Sequence, residues 1–111
     1  MRDDRERLFD ILEAIERIEK HTAIDRSSFE SDELVQTWMV HHVQIIGEAA
    51  AQLSDDFKRN HHDVPWRAIA AMRNAIVHAY FRVDIDEVWS VIANDIPPLK
   101  QRILSLLESA T

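Results

Sequence analysis

The chain contains no cysteine, so disulfide bonds and thiolate metal sites are excluded. Only one glycine and three prolines occur in its 111 residues, which leaves little of the turn chemistry that a β-sheet needs. Apolar residues make up 46% and charged residues 30% of the sequence, a mixture typical of amphipathic helices. We therefore expect an all-α fold, and the length predicts a single helical domain over residues 1–111.

Long apolar runs are also missing. The N-terminal segment MRDDRERLFD carries charges of both signs and no apolar stretch of signal-peptide length. No later segment approaches the length of a membrane span. We expect a cytoplasmic protein without membrane contacts.

Apolar residues recur three and four positions apart, as they do on one face of a helix. This spacing predicts an up-and-down bundle of four to five helices with mostly short connections. The predicted helices are one around Leu8–Ile18, a central one over about 34–53, one from Pro65 to about Tyr80, a short one after Asp84, and a fifth or kinked continuation after Pro98. The polar segments 22–31 and 54–64 are expected to be connections, with Ser28 or Ser31 capping the central helix.

Gly47 lies inside the predicted central helix, where glycine costs about 1 kcal/mol relative to alanine. Such a glycine indicates close packing against another helix. Trp38, Trp66 and Trp89 fall on three different helices. We interpret them as packing residues rather than as stacking platforms for bases.

The net charge of −7 argues at first against a nucleic-acid partner. The charges are unevenly distributed, however: residues 1–56 carry six Lys/Arg and fourteen Asp/Glu, and the chain from 83 onward is acidic again. Between them lies a basic block whose charged residues are Lys58, Arg59, Arg67, Arg73 and Arg82 against Asp63 alone. The surplus of four positive charges in this block could bind a phosphate group.

The segment RNAIVHAY, residues 73–80, places an arginine, a histidine and a tyrosine inside an apolar helical pattern. Burying such groups without partners is costly. Arginine offers a planar set of donors to phosphate oxygens, and histidine exchanges a proton near neutral pH. Arg73 and His78 are therefore candidates for chemistry on a phosphate.

The spacing within this segment leaves two arrangements open. On an ideal helix Asn74 and His78 share a face, whereas Arg73 and His78 diverge by about 140°. Either distortion near the helix end brings Arg73 and His78 together, or a second copy completes the site across a twofold interface. A purely structural role is the alternative, in which His78 bonds a backbone carbonyl and Arg73 pairs with an acid such as Glu48.

Five segments, in this order and at these spacings, resemble the HEPN domains of the HepT type: IIGEAA (45–50), VPW (64–66), MRNAIVHAYF (72–81), VDIDEVW (83–89) and IPPLK (96–100). These domains are the toxin halves of bacterial and archaeal toxin-antitoxin pairs. The resemblance extends from about Leu8 to Leu107. The bare R-x4-H pattern is weakly specific, and the ordered set of segments is what makes the resemblance strong.

The resemblance implies an all-helical homodimer with metal-independent RNA endonuclease activity and no cofactor. The R-x4-H arginine and histidine of both protomers, here Arg73 and His78, would be catalytic, with Asn74 in support. The family's partner is a minimal nucleotidyltransferase antitoxin that transfers AMP to the tyrosine of R-x4-H-x-Y. That position is Tyr80, two residues from His78, where an anionic nucleotide would block the groove and repel RNA.

Two other classes of function compete with this prediction. A di-metal carboxylate site would use Glu-x-x-His pairs on facing helices, and none of the six histidines has a carboxylate three residues before it. The doublets His41-His42 and His61-His62 point about 100° apart on a helix, which does not suit a shared metal. The second alternative is a non-catalytic helical module that binds nucleotides or RNA as the partner of a nucleotidyltransferase.

Overall fold

The structure is a computed structural model that describes residues 3–21, 25–75, 77–78 and 82–109. Helices make up nearly all the regular structure of these residues: α1 (Asp4–Glu19), α2 (Arg26–Ser31), α3 (Glu33–Gln52), α4 (Asp55–Asn60), α5 (Trp66–Ala75), α6 (Ile85–Ser90) and α7 (Ile96–Ser109). The predicted all-α class is confirmed. None of the described helices is both long enough and apolar enough to cross a membrane.

Helix α3 is the central helix, as its apolar residues on more than one face predicted. It packs against α1 on one side and against α5 on the other, and α1 also contacts α7. Most of the periodic residues of α1 are buried in the core together with apolar positions of α3 and α7, and Leu12 is partly buried against it. The largest completely buried side chains are Phe29, Leu8, Ile11, Ile15, Ile18, Met39, Ile46, Ile103, Val43, Val88 and Val91.

The two predicted connections each contain a short helix, which corrects the expectation of irregular segments. Asp25 accepts a hydrogen bond from the Ser28 backbone N–H at the start of α2, and the Ser54 hydroxyl accepts one from Phe57 N–H at the start of α4. The polar residues that indicated turns are therefore helix caps. Asp32, rather than Ser28 or Ser31, caps α3 through the N–H of Val35.

Helices α6 and α7 are joined without a break by a π-helical turn, Val91–Asp95. The Ile96 N–H bonds the Val91 carbonyl, five residues back. Pro97 and Pro98 lack the N–H that an α-helix needs and would crowd the preceding turn. The wider π turn directly before them lets the chain stay helical, so the predicted fifth helix is a continuation of the fourth.

The helix that was predicted to reach Tyr80 ends earlier, at Ala75. Val77–His78 then forms a two-residue strand, β1, which pairs antiparallel with β2 (Arg82–Val83), so that Val77 faces Val83 and His78 faces Arg82. The β-branched valines favour extended backbone over helix. The apolar run that suggested one long helix therefore covers a helix end and a hairpin.

Candidate functional site

Arg73 lies in the last turn of α5, and its Nη1 donates a hydrogen bond of 2.6 Å to Glu48 Oε2 on α3. The Arg73 side chain remains 36% exposed and that of Glu48 58% exposed. The pairing with Glu48 considered in the structural alternative is thus present. A half-exposed pair of this kind contributes about 0–1 kcal/mol, so its main effect is to orient a guanidinium that a ligand can still reach.

Gly47 explains how α3 and α5 come close enough for this pair. A methyl group at Gly47 would lie 2.9 Å from Arg73 Cβ and 3.1 Å from both the Ala70 carbonyl oxygen and the Arg73 nitrogen. No side chain larger than hydrogen fits there without a shift of the helices. The predicted close packing at Gly47 is confirmed, and it lies directly beneath Arg73.

Arg73 and Asn74 open onto a surface groove of about 390 Å³, which we call the Arg73 groove. Its other wall comes from α3 and consists of His41, Gln44, Ile45 and Glu48. Asn74 is exposed and shares the groove with Arg73. The groove therefore combines donors from Arg73, Asn74 and His41 with one carboxylate, Glu48, whose charge Arg73 offsets. The exposed donors of Arg73 and Asn74 are able to hold a phosphodiester oxygen.

Of the α3 wall of the groove, the sequence reasoning named only Glu48, as a possible partner of Arg73, and missed His41, Gln44 and Ile45. His41, Gln44, Ile45 and Glu48 recur at intervals of three, one and three residues, which places them on one face of the helix. Three polar residues on one face of an otherwise apolar central helix were the available signal. His41 was instead grouped with His42 as an isolated imidazole.

His78 lies on β1 rather than on a helix, three residues beyond the end of α5. The helical angle of about 140° between Arg73 and His78 therefore does not apply. Both arrangements left open by the sequence, local distortion and a site completed by a second copy, stay predictions. Tyr80 lies outside the described residues.

Acidic residues from outside the basic block neutralise part of its surplus of positive charge. Arg59 pairs with Asp56 of the same helix, and Arg73 pairs with Glu48 of α3. Arg67 is exposed on α5. Two of the five cations of the block are therefore paired with acids from outside it.

His42 is buried on α3, and its Nδ1 lies 2.8 Å from the Trp38 carbonyl oxygen. A carbonyl only accepts, so Nδ1 carries the proton. Burial lowers the pKa of His42 below its ordinary value, which keeps the ring neutral near pH 7. His42 is thus a structural histidine, whereas its neighbour His41 is exposed and faces the groove.

The tryptophans pack against the core as predicted, although Trp38 and Trp89 are only half-buried. Trp66 is buried and its Nε1 donates to the His61 carbonyl, and Trp89 lies against Phe29 with ring centroids 5.2 Å apart. Trp38 packs on the His42 ring at 4.4 Å. In the part of the chain that the structure describes, no three His, Cys, Asp or Glu side chains come together as a metal-ligand group.

Comparison with known proteins places the chain in a family. The profile of a family described as "Ribonuclease HepT-like" matches residues 11–106. The chain is 42% identical over 106 residues to a probable ribonuclease HepT of Thermococcus cleftensis, covering 95% of this chain and 96% of that protein. No solved structure gives a significant match.

More distant relatives carry related descriptions. A putative RNase of Methanocaldococcus jannaschii is 30% identical over 103 residues, which cover 92% of this chain and 94% of the relative. A putative RNase of Caldanaerobacter subterraneus is 34% identical over 91 residues, with 82% and 81% covered. The matched range includes both walls of the Arg73 groove and the R-x4-H segment. The chain therefore belongs to the HepT-like ribonuclease family.

Proposed function

We propose that this protein is an RNA endonuclease that works without a metal ion and acts as the toxin of a type VII toxin-antitoxin pair. The observation that carries the proposal is the position of Arg73: Glu48 orients it, more than a third of the side chain is exposed, and it faces a polar groove. The ribonuclease descriptions of the relatives support RNA as the substrate.

The chemistry follows from the groups at hand. The ribose 2′-oxygen next to the scissile phosphate attacks phosphorus, and the bond from phosphorus to the 5′-oxygen breaks. A neutral His78 accepts the proton of the 2′-hydroxyl, and a protonated His78 donates one to the leaving 5′-oxygen. Arg73 stabilises the charge that develops on the phosphate oxygens. The products are a 2′,3′-cyclic phosphate and a 5′-hydroxyl.

Two histidines in opposite protonation states are needed for this reaction, and each chain offers one in the R-x4-H segment. We therefore assign the site to a homodimer in which Arg73 and His78 of both protomers face a common groove. Histidine is the side chain that can carry either charge state near neutral pH. Asn74, exposed beside Arg73, supports the phosphate or His78.

We further propose that a minimal nucleotidyltransferase antitoxin silences the enzyme by transferring AMP to the Tyr80 hydroxyl. When the two proteins are coexpressed, the intact mass of the parent chain is expected to rise by one or more adenylates. The increment should disappear in Tyr80→Phe, because that variant lacks the accepting oxygen. An unmodified parent chain, or a Tyr80→Phe chain that still gains the mass, would rule out this regulation.

A non-catalytic RNA- or nucleotide-binding partner of the nucleotidyltransferase is the alternative, because a groove that holds a phosphate through Arg73 would serve binding without cleavage equally well. Incubation of the purified protein with total RNA in EDTA separates the two. An endonuclease of the proposed kind cleaves under these conditions, whereas a binding module retains the RNA intact.

A further inference from the structure

A second, larger pocket of about 490 Å³ lies between α1 and α3 and joins the Arg73 groove. The two share His41, Ile45 and Glu48 as a common wall. We call it the α1–α3 pocket. The remainder of its lining consists of Arg7, Asp10, Glu13, Ala14, Arg17, Trp38, His42 and Ala49. A polymer whose phosphate lies at Arg73 would therefore have room for a neighbouring unit in this pocket.

The charges of the α1–α3 pocket do not suit a phosphate. Arg7 and Arg17 are offset by three carboxylates, those of Asp10, Glu13 and Glu48, and Arg17 Nε already pairs with Glu13 at 3.3 Å. Carboxylates repel a phosphate group. A nucleobase is uncharged and carries both donors and acceptors on its edges, so a lining with both guanidinium and carboxylate groups fits a base.

The aromatic wall of the pocket is rigid. Trp38 Nε1 donates to the Arg17 carbonyl at 2.9 Å, and the Trp38 ring packs against His42. His41 meets the His42 ring edge to face, with centroids 5.0 Å apart. Ring faces and edges of this kind hold the bases of unpaired RNA by stacking. The volume also lies within the usual range for small-ligand pockets.

Arg7 supplies an independent indication that the pocket takes a ligand, because one of its hydrogen-bond donors has no acceptor within the described protein. Its Nε is buried, and among the described residues it has no hydrogen-bond partner. An unmade bond at a buried donor costs free energy, and native structures rarely leave one without a reason. A rotation of the Arg7 side chain towards an acceptor in the pocket would remove that cost.

We propose that the α1–α3 pocket binds a nucleobase of the RNA next to the scissile phosphate and so sets the sequence preference of cleavage. The proposal rests on the RNA endonuclease function proposed above. Guanine fits the lining best: its O6 and N7 accept from an arginine, while its N1–H and amino group donate to a carboxylate such as Glu13. Glu13 and Arg7 are then specificity residues rather than catalytic ones.

In the test, an RNA of random sequence is cleaved by the parent chain and, separately, by Glu13→Gln. The ends of the fragments are then mapped to give the bases on either side of each cut. The parent is expected to favour guanine at one fixed position beside the cut. Glu13→Gln should lose or change that preference and should cleave guanine-containing sites about tenfold more slowly, since the amide no longer matches both guanine donors. Cleavage of RNA without guanine should be equal in the two proteins.

The matched control is Glu16→Gln, which makes the same chemical change on the exposed face of α1 outside the pocket. Arg7→Lys, with the exposed Arg5→Lys as its control, tests the opposite side of the base. Both controls are expected to keep the parent's preference. A change of base preference is a readout that mere destabilisation of the fold would not produce.

The outcomes separate this inference from the function on which it rests. If the parent cleaves RNA with no base preference, or if Glu13→Gln and Arg7→Lys keep the parent's preference, the base-binding pocket is wrong and the nuclease stands. If the parent cleaves no RNA at all, the proposed function fails, and the base-binding inference is rejected with it.

Discussion

Replacing His78 by alanine is expected to lower the rate of RNA cleavage by a factor of about 10²–10⁴, the range typical of a lost general acid or base. In the proposed reaction both proton transfers pass through this residue, because each protomer contributes one His78. Alanine removes the proton carrier in both protomers at once. The measurement is the initial rate of cleavage of a labelled RNA in EDTA.

The matched control for His78→Ala is His62→Ala. His62 is an exposed imidazole in the segment after α4, and it lies in neither the Arg73 groove nor the α1–α3 pocket. It is expected to keep the parent's rate. If His78→Ala, shown to be folded and in the same oligomeric state as the parent, cleaves RNA at the parent's rate, then His78 is not the proton carrier.

Gly47→Ala is expected to destabilise the protein by about 1–3 kcal/mol, because the new methyl group overpacks the interface of α3 and α5. The contacts at 2.9 and 3.1 Å involve Arg73 Cβ and backbone atoms, which cannot move aside as the end of a flexible side chain can. The helices must separate, so Arg73 is displaced from the groove. Urea unfolding should show the lost stability, and RNA cleavage should fall more than the folded fraction does.

A double-mutant cycle tests whether the Gly47→Ala effect arises at Arg73. Arg73→Gly removes the Cβ atom that the new methyl group would meet first. The double variant should therefore be more stable than the sum of the two single costs predicts. Gly47→Ala alone would stabilise an unhindered helix by about 1 kcal/mol, and an increase in stability of that size would contradict the close packing.

The sequence was a good guide where burial follows helical periodicity. The buried faces of α1 and α3 and the close approach at Gly47 were anticipated from spacing and residue type, and Glu48 was named only within the structural alternative for Arg73. Asp84 caps α6 through the N–H of Glu87, so this helix begins after Asp84 as predicted. The predictions succeeded because each rested on a pattern within a single helix, even where the contact itself joins two helices.

The short helices α2 and α4 could not be distinguished from loops by composition. Ser, Asp and Asn serve both as turn residues and as helix caps, and a six-residue helix has too few apolar positions to show a period. The prediction of where α5 ends was wrong for a related reason. A short apolar run such as 75–77 is compatible with either a helix or a strand. The pairing of β1 with β2 is what favours the strand.

The shape of the candidate site depends on tertiary structure and was only half anticipated. Arg73, Asn74 and His78 stood out because polar groups interrupt an apolar pattern. The opposite wall lies about 30 residues earlier in the chain, on α3, and the contact between α3 and α5 is what brings His41 and Gln44 to the groove. The α1–α3 pocket likewise requires three-dimensional packing, since neither helix alone encloses it.

The chemical nature of the fragment ends tests the central claim most directly. After cleavage by the parent chain in EDTA, the fragments are expected to end in 2′,3′-cyclic phosphates and to begin with 5′-hydroxyls, because the ribose 2′-oxygen is the nucleophile. Fragments with 3′-hydroxyl and 5′-phosphate ends, or a reaction that requires a divalent metal ion, would contradict a metal-independent site built from Arg73 and His78.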